Sequence, residues 1–298
     1  MSVEHPLLTP PPPPPASAPP TPSVSISEKK KLYQTIGSSR SPVEGDHTEA
    51  LLLLSQRESF RKDLQWILVN TYVPSLIQNG PCGLVALWMS AHLQQPRLSV
   101  DMETVVQTAL RRGYTAQGEM FSANMARLAE EVCGCKAELL SGGLSGNNAA
   151  AIITHLWKRQ PVLIYDEDFN HEPCQRSGHR AHWAVLSVLL GLDQGSISNE
   201  LSLPNPALPW VSVAANSSCP CPVGGMAVKE VYILAKQGKS LRYQLWSLNS
   251  VIRSNEQLRT MDPQRATDGR QYVVPEGGVE AGLAGQAVLL HTSTEKQN

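Results

Sequence analysis

Apolar positions fall into two textures that follow one another along the chain. Within residues 57–70, Phe60, Leu64, Ile67 and Leu68 recur at helical spacing, which predicts an amphipathic helix, with order starting near Leu51. After the turn Asn79-Gly80-Pro81, the run Leu84-Val85-Ala86-Leu87-Trp88-Met89-Ser90-Ala91 is apolar nearly all round and predicts a central, buried helix opened by Cys82-Gly83. Further helices are predicted at 100–110, 122–132 and 149–157, the second ended by Cys133-Gly134. From Pro161 onward the runs shorten and gain β-branched and aromatic residues, so 161–165, 182–190, 231–234, 243–246, 272–274 and 287–290 read as strands. Helices first and strands later predict an α+β domain, with N-terminal helices packed on one antiparallel sheet.

Composition divides the 298 residues unevenly. Ten of the 23 prolines lie in the first 22 residues, with an unbroken run from Pro10 to Pro15. Such a segment cannot build a core and favours an extended polyproline II form, so residues 1–50 are expected to be a disordered proline-rich tail and linker. Six consecutive prolines also suit docking into an aromatic groove. The folded domain is expected over 51–291, with a frayed end at 292–298. Residues 193–228 hold Pro204, Pro206, Pro209, Pro220 and Pro222 among serines and glycines, and read as a surface insertion between two paired strands.

Charge narrows the function classes. With 25 basic side chains against 26 acidic ones the chain has no basic footprint for nucleic acid. The longest apolar stretch, Trp183 to Leu192, is about half the ~20 residues a membrane helix needs. No secretory signal is readable at the start, so a cytoplasmic protein with its six cysteines reduced is expected.

One pair of residues carries the chemistry. A cysteine at the first position of a buried helix meets the partial positive charge of the helix N-terminus, which favours thiolate and makes Cys82 a candidate nucleophile. His182 opens a strongly apolar strand 100 residues later, and a histidine there can turn one ring nitrogen to a thiol and the other to an orienting group. That third member is expected at the end of a neighbouring strand, where Asn249 offers a carbonyl, with Ser247 and Asp193 as weaker candidates. Gln78, four residues before Cys82, has the chemistry of an oxyanion donor.

Several blocks extend this reading. Gly80-Pro-Cys-Gly-Leu-Val-Ala-Leu-Trp88, Arg112-Gly-Tyr-Thr-Ala-Gln-Gly-Glu-Met-Phe121, Tyr165-Asp-Glu-Asp-Phe-Asn-His-Glu-Pro-Cys174, His179-Arg-Ala-His-Trp-Ala-Val185 and Arg265-Ala-Thr-Asp-Gly-Arg270 resemble the actin maturation proteases over roughly residues 57–291. The resemblance implies a papain-like domain similar to C39 peptidases behind a proline-rich N-terminus. It also implies an aminopeptidase that removes the acetylated first residue, Met or Cys, of immature actin. Carried over by motif, Cys82 is the nucleophile and His182 its base, no cofactor or metal is needed, and the tail at Pro10 to Pro15 implies profilin as a partner. Two places depart from the family pattern. The stretch Gln-Asn-Gly-Pro-Cys82 is shorter than expected, and Ser247 and Asn249 stand where an aspartate is expected near Trp246.

Other classes are weaker. His171, Cys174, His179 and His182 cluster as a zinc set would, and Cys133-Gly-Cys135 and Cys219-Pro-Cys221 add thiols, but a single intervening residue is tight for a zinc knuckle. Gly238-Lys239-Ser240 mimics the end of a phosphate loop, yet the glycine required at position 233 is Ile233. A catalytically inactive actin or profilin adaptor would keep the tail and the shell without the chemistry.

Overall fold

The computed structural model describes residues 46–69, 81–93, 100–169, 172–173, 177–179, 181–196, 202–215, 228–238, 240 and 242–291. In chain order the elements begin with α1 (Asp46–Ser55), β1 (Gln65–Val69), α2 (Cys82–Ala91), α3 (Met102–Arg111), α4 (Ser122–Cys133) and β2 (Lys136–Leu140). Then come α5 (Asn147–Trp157), β3 (Val162–Phe169), β4 (Glu172–Pro173), β5 (Ala181–Leu192), β6 (Ser202–Pro204) and β7 (Val211–Ala214). The last group is β8 (Val228–Gln237), β9 (Gln244–Ser247), α6 (Leu248–Glu256), α7 (Pro263–Thr267), α8 (Gly278–Leu283) and β10 (Ala287–His291).

β5 organises the sheet because its run from Trp183 to Leu192 has no water-facing side and must be covered on both faces. β8 pairs with it from Ala184 to Leu192, while β3 takes Ala181 to Val185 and β1 takes Val188 to Leu192, all antiparallel. β10 lies between β2 and β3, and β9 pairs with β8. The pleat sorts the side chains into two cores. Trp183, Val185, Leu234 and Val288 pack with the helices α2 and α4, whereas Ala184, Leu186, Ile233 and Leu289 pack with α5 and α6.

The expected α+β class is present, with two changes of plan. Helices cover both faces of the sheet rather than one. The sheet is also not wholly antiparallel, because β7 runs parallel to β1. β7 and its partner β6 come from the segment expected to be a surface insertion, and Leu208, Val211 and Ala214 there are buried.

Within the predicted helix at 57–70, the described residues 57–69 do not form one helix. Trp66 and Leu68 enter one core and Ile67 and Val69 the other, a two-residue period that only a strand between β5 and β7 satisfies. Residues 272–274 are not a strand either, since the Val273 N–H donates to the Glu119 carboxylate at 2.6 Å. The predicted helices at 100–110, 122–132 and 149–157 are α3, α4 and α5. α3 is capped by Asp101, whose carboxylate accepts from the Thr104 N–H, and α4 ends at Gly134 in the left-handed region, where glycine carries no Cβ penalty.

Candidate active site

Cys82 is the first residue of α2, half-buried, with every later residue of that helix buried. Pro81 caps the helix without a side-chain hydrogen bond, and the first turn holds no acidic residue. Nothing in that turn neutralises the partial positive charge at Cys82, so the helix end favours the thiolate.

Close packing delivers this helix end to the start of β5. A Cβ on Gly83 would lie 2.7 Å from the Met120 Cβ and 2.9 Å from Trp183 Cδ1, so only glycine fits after the cysteine. Trp183 is held in turn by its indole Nε1, which donates to the Met120 carbonyl at 3.1 Å. Behind Cys82, Gly118 has φ +94° and a Cβ there would meet the Pro81 Cβ at 2.7 Å. The loop 115–121 and β5 thus clamp the start of α2 between them.

Cys82 opens on a cavity of about 100 Å³. Met120, Phe121, Trp183, Leu258, Val279 and Leu283 supply apolar walls, and Glu119, His179, Thr260, Asp262 and Arg265 supply polar groups. Sequence reasoning missed Glu119 although it lies in a block already singled out. Its carboxylate accepts from the N–H groups of Ala116, Gln117 and Val273 and from the Thr115 hydroxyl. Burial opposes its ionisation, but the backbone donors of Val273, Ala116 and Gln117 outweigh that and hold it below the ordinary carboxylate range. An ionised Glu119 therefore ties Val273 to the wall of the cavity.

His182 is the second residue of β5 and half-buried. Ala181 and Trp183, on either side of it, line the cavity with Cys82. The pleat gives His182 the parity of Ala184, on the opposite side of β5 from Trp183. His179 lines the cavity too, with Nε2 at 3.3 Å from Thr260 Oγ1, whose hydroxyl donates to the Ser177 carbonyl.

Asn249 is not where the sequence argument needed it. The strand beside β5 is β8, and β9 lies one strand further out, with Ser247 opposite Tyr232 and Tyr232 opposite Leu189. Asn249 follows in the first turn of α6, exposed, beyond a register level seven residues along β5 from His182, or roughly 23 Å of strand at ~3.3 Å per residue. Ser247 is the cap of α6, its hydroxyl accepting from the Ser250 N–H. The β8 residue at the His182 end of the pairing is Gln237, opposite Ala184 and 1% exposed.

Gln78, His171, Cys174, Cys219, Cys221 and the run Pro10 to Pro15 lie outside the described residues. Among the described residues no three His, Cys, Asp or Glu side chains are grouped to hold a metal ion, and Cys82, Cys133 and Cys135 are not disulfide-bonded. No helix among them is long and apolar enough to cross a membrane.

Residues 73–190 match the family model described as actin maturation protease-like, C-terminal domain. The chain is 60% identical over 278 residues to the actin maturation protease of Danio rerio, covering 91% of this chain and 90% of that protein. It is 50% identical over 272 residues to the Homo sapiens protein of the same name, covering 88% and 77% respectively. A solved C39-like peptidase from Bacillus anthracis is 15% identical, covers 76% of this chain and 98% of its own, and superposes with a TM-score of 0.34. With relatives this similar over most of both chains, this chain belongs to the actin maturation protease family.

Proposed function

We propose that this chain is a papain-like cysteine aminopeptidase that removes the N-acetylated first residue, Met or Cys, of immature actin. One observation carries the reading: a cysteine at the start of a buried helix, with no side-chain cap and no acidic residue in the first turn, opens on a small cavity with apolar walls. The name these relatives share, actin maturation protease, supports actin as the substrate.

The reaction follows from the position of the thiol. The Cys82 thiolate attacks the carbonyl carbon of the first residue, forming the S–C bond, while donors near the start of α2 and Gln78 stabilise the oxyanion. The protonated His182 gives its proton to the departing amine as the C–N bond breaks. Water then attacks the thioester with His182 as base, releasing the acetylated amino acid and restoring the thiol. Acetylation removes the charge that an acidic pocket would read, so apolar walls at Met120, Phe121, Trp183 and Leu283 suit a methionine side chain. In this reading the enzyme works in the cytoplasm, and profilin bound at Pro10 to Pro15 brings actin to the site and raises its effective concentration.

A second assignment of the base is favoured by one observation, that His179 lines the cavity with Cys82. The test of both is the intact mass of purified actin with an acetylated N-terminal methionine, incubated with wild type, Cys82→Ala, His182→Ala or His179→Ala. Loss of one acetyl-methionine with wild type and His179→Ala, but not with Cys82→Ala or His182→Ala, is expected. Processing by His182→Ala with none by His179→Ala would transfer the base to His179. Processing by Cys82→Ala would refute the nucleophile, and no processing by folded, reduced wild type would favour the adaptor.

A further inference from the structure

We propose that Gln237 is the positioning residue for the His182 imidazole, a role that rests on His182 being the base. Gln237 stands directly opposite Ala184 in the β5–β8 pairing. Residues directly opposite in an antiparallel pair share a face, and so do residues two apart on one strand, which makes Gln237 a diagonal neighbour of His182 on one face. Diagonal Cβ atoms are about 7–8 Å apart or somewhat less, a span long side chains bridge.

The chemistry of Gln237 is out of keeping with its place in the core. The two positions before it on the same face, Ala235 and Ile233, are fully buried apolar residues. Gln237 is 1% exposed, and neither its Oε1 nor its Nε2 has a hydrogen-bond partner among the described residues. A buried amide with both atoms unsatisfied is costly and rare, and a strand core would be served better by leucine or methionine. A working partner for that amide resolves the conflict. In the working site its Oε1 would accept the ring N–H of His182, a bond not formed in this structure, fixing the tautomer and aiming the other ring nitrogen at the thiol without adding a charge.

The test uses the full chain and acetyl-methionine actin, with kcat and KM followed across pH. Gln237→Leu removes the acceptor while keeping bulk, and is expected to fold with a Tm at or above wild type. Its kcat is expected to fall about 10- to 100-fold, the scale known for the orienting partners of metal-bound histidines, with KM little changed. Gln237→Glu keeps an acceptor at the same reach, so it is expected to recover most of kcat. Its carboxylate also favours the imidazolium, which moves the alkaline limb of the pH profile upward. A Gln237→Leu enzyme with wild-type kcat and pH profile overturns the proposal while an inactive His182→Ala leaves the base assignment standing. Asp166 is directly opposite His182 on β3. If Asp166→Asn lowers kcat and shifts the profile while Gln237→Leu does neither, the orienting role belongs to β3. If His182→Ala is fully active, both the base assignment and this proposal fall.

Discussion

Trp183 and Met120 are joined by a hydrogen bond of 3.1 Å from the indole Nε1 to a backbone carbonyl, and that bond connects the strand carrying His182 to the loop that clamps Cys82. Both residues are buried, which leaves the carbonyl little access to water. Trp183→Phe is expected to lose about 1–3 kcal/mol of stability from the unsatisfied acceptor, with further loss from the space left by the smaller ring. Urea unfolding of the two proteins measures it, and a midpoint equal to wild type would show that the bond contributes nothing.

Gly83→Ala tests the clamp from the helix side. The added methyl meets Met120 Cβ at 2.7 Å and Trp183 Cδ1 at 2.9 Å, so the start of α2 must shift. Overpacking of this kind costs about 1–3 kcal/mol. Activity is expected to fall further than stability, by about 10²-fold, because the displaced element carries the proposed nucleophile, Cys82. Turnover of acetylated actin and the unfolding midpoint, measured on the same preparation, separate the two effects.

Glu119 gives the fold an acid-sensitive fastening. Its folded-state pKa is depressed below the ordinary carboxylate value, so its contribution is fully present above the unfolded pKa and lost as pH falls through the folded value. Glu119→Gln cannot match the carboxylate at its backbone donors and is expected to be less stable at neutral pH by about 1–3 kcal/mol. The difference between the two proteins should close in acid. Thermal melts from pH 7 to pH 3 follow it, and a gap that stays constant would assign the effect to packing alone.

His155 acts in a higher pH window. Burial is the main cause that lowers its pKa to about 4, and its Nε2 donates to the Leu290 carbonyl at 3.0 Å. A histidine held neutral in the fold stabilises above its unfolded pKa of ~6.5, and that contribution is lost as pH falls toward about 4. The full span corresponds to a loss on the order of 3 kcal/mol. His155→Gln should flatten stability against pH between 6.5 and 4, in melts where Glu119→Gln leaves that slope in place.

Local signals in the sequence were strong where one element decides its own structure. The all-apolar run after Cys82 makes a helix that can only be central, and the run after His182 makes a strand covered on both faces. What depends on which strand lies beside which was not legible. Asn249 and Gln237 both follow apolar strand runs, and only the register shows that β8, not β9, neighbours β5. Residues 57–70 misled for a related reason: four apolar residues at helical spacing coexist with the contiguous run Trp66 to Val69, and long-range pairing with β5 and β7 decides for a strand. Glu119 left no mark as a motif, because its donors are backbone groups drawn together by folding.

The place of β10 orders events during synthesis. It is the last strand among the described residues, yet it fills the space between β2 and β3, pairing Val288 with Leu139 on one side and Leu163 on the other. Until Ala287 to His291 have left the ribosome, β3 has an open edge and β2 lacks the partner that joins it to the sheet. Pairing over such separations is slow to form. The helix that begins at position 82, translated early, therefore packs on a sheet that closes only once residue 291 has been made.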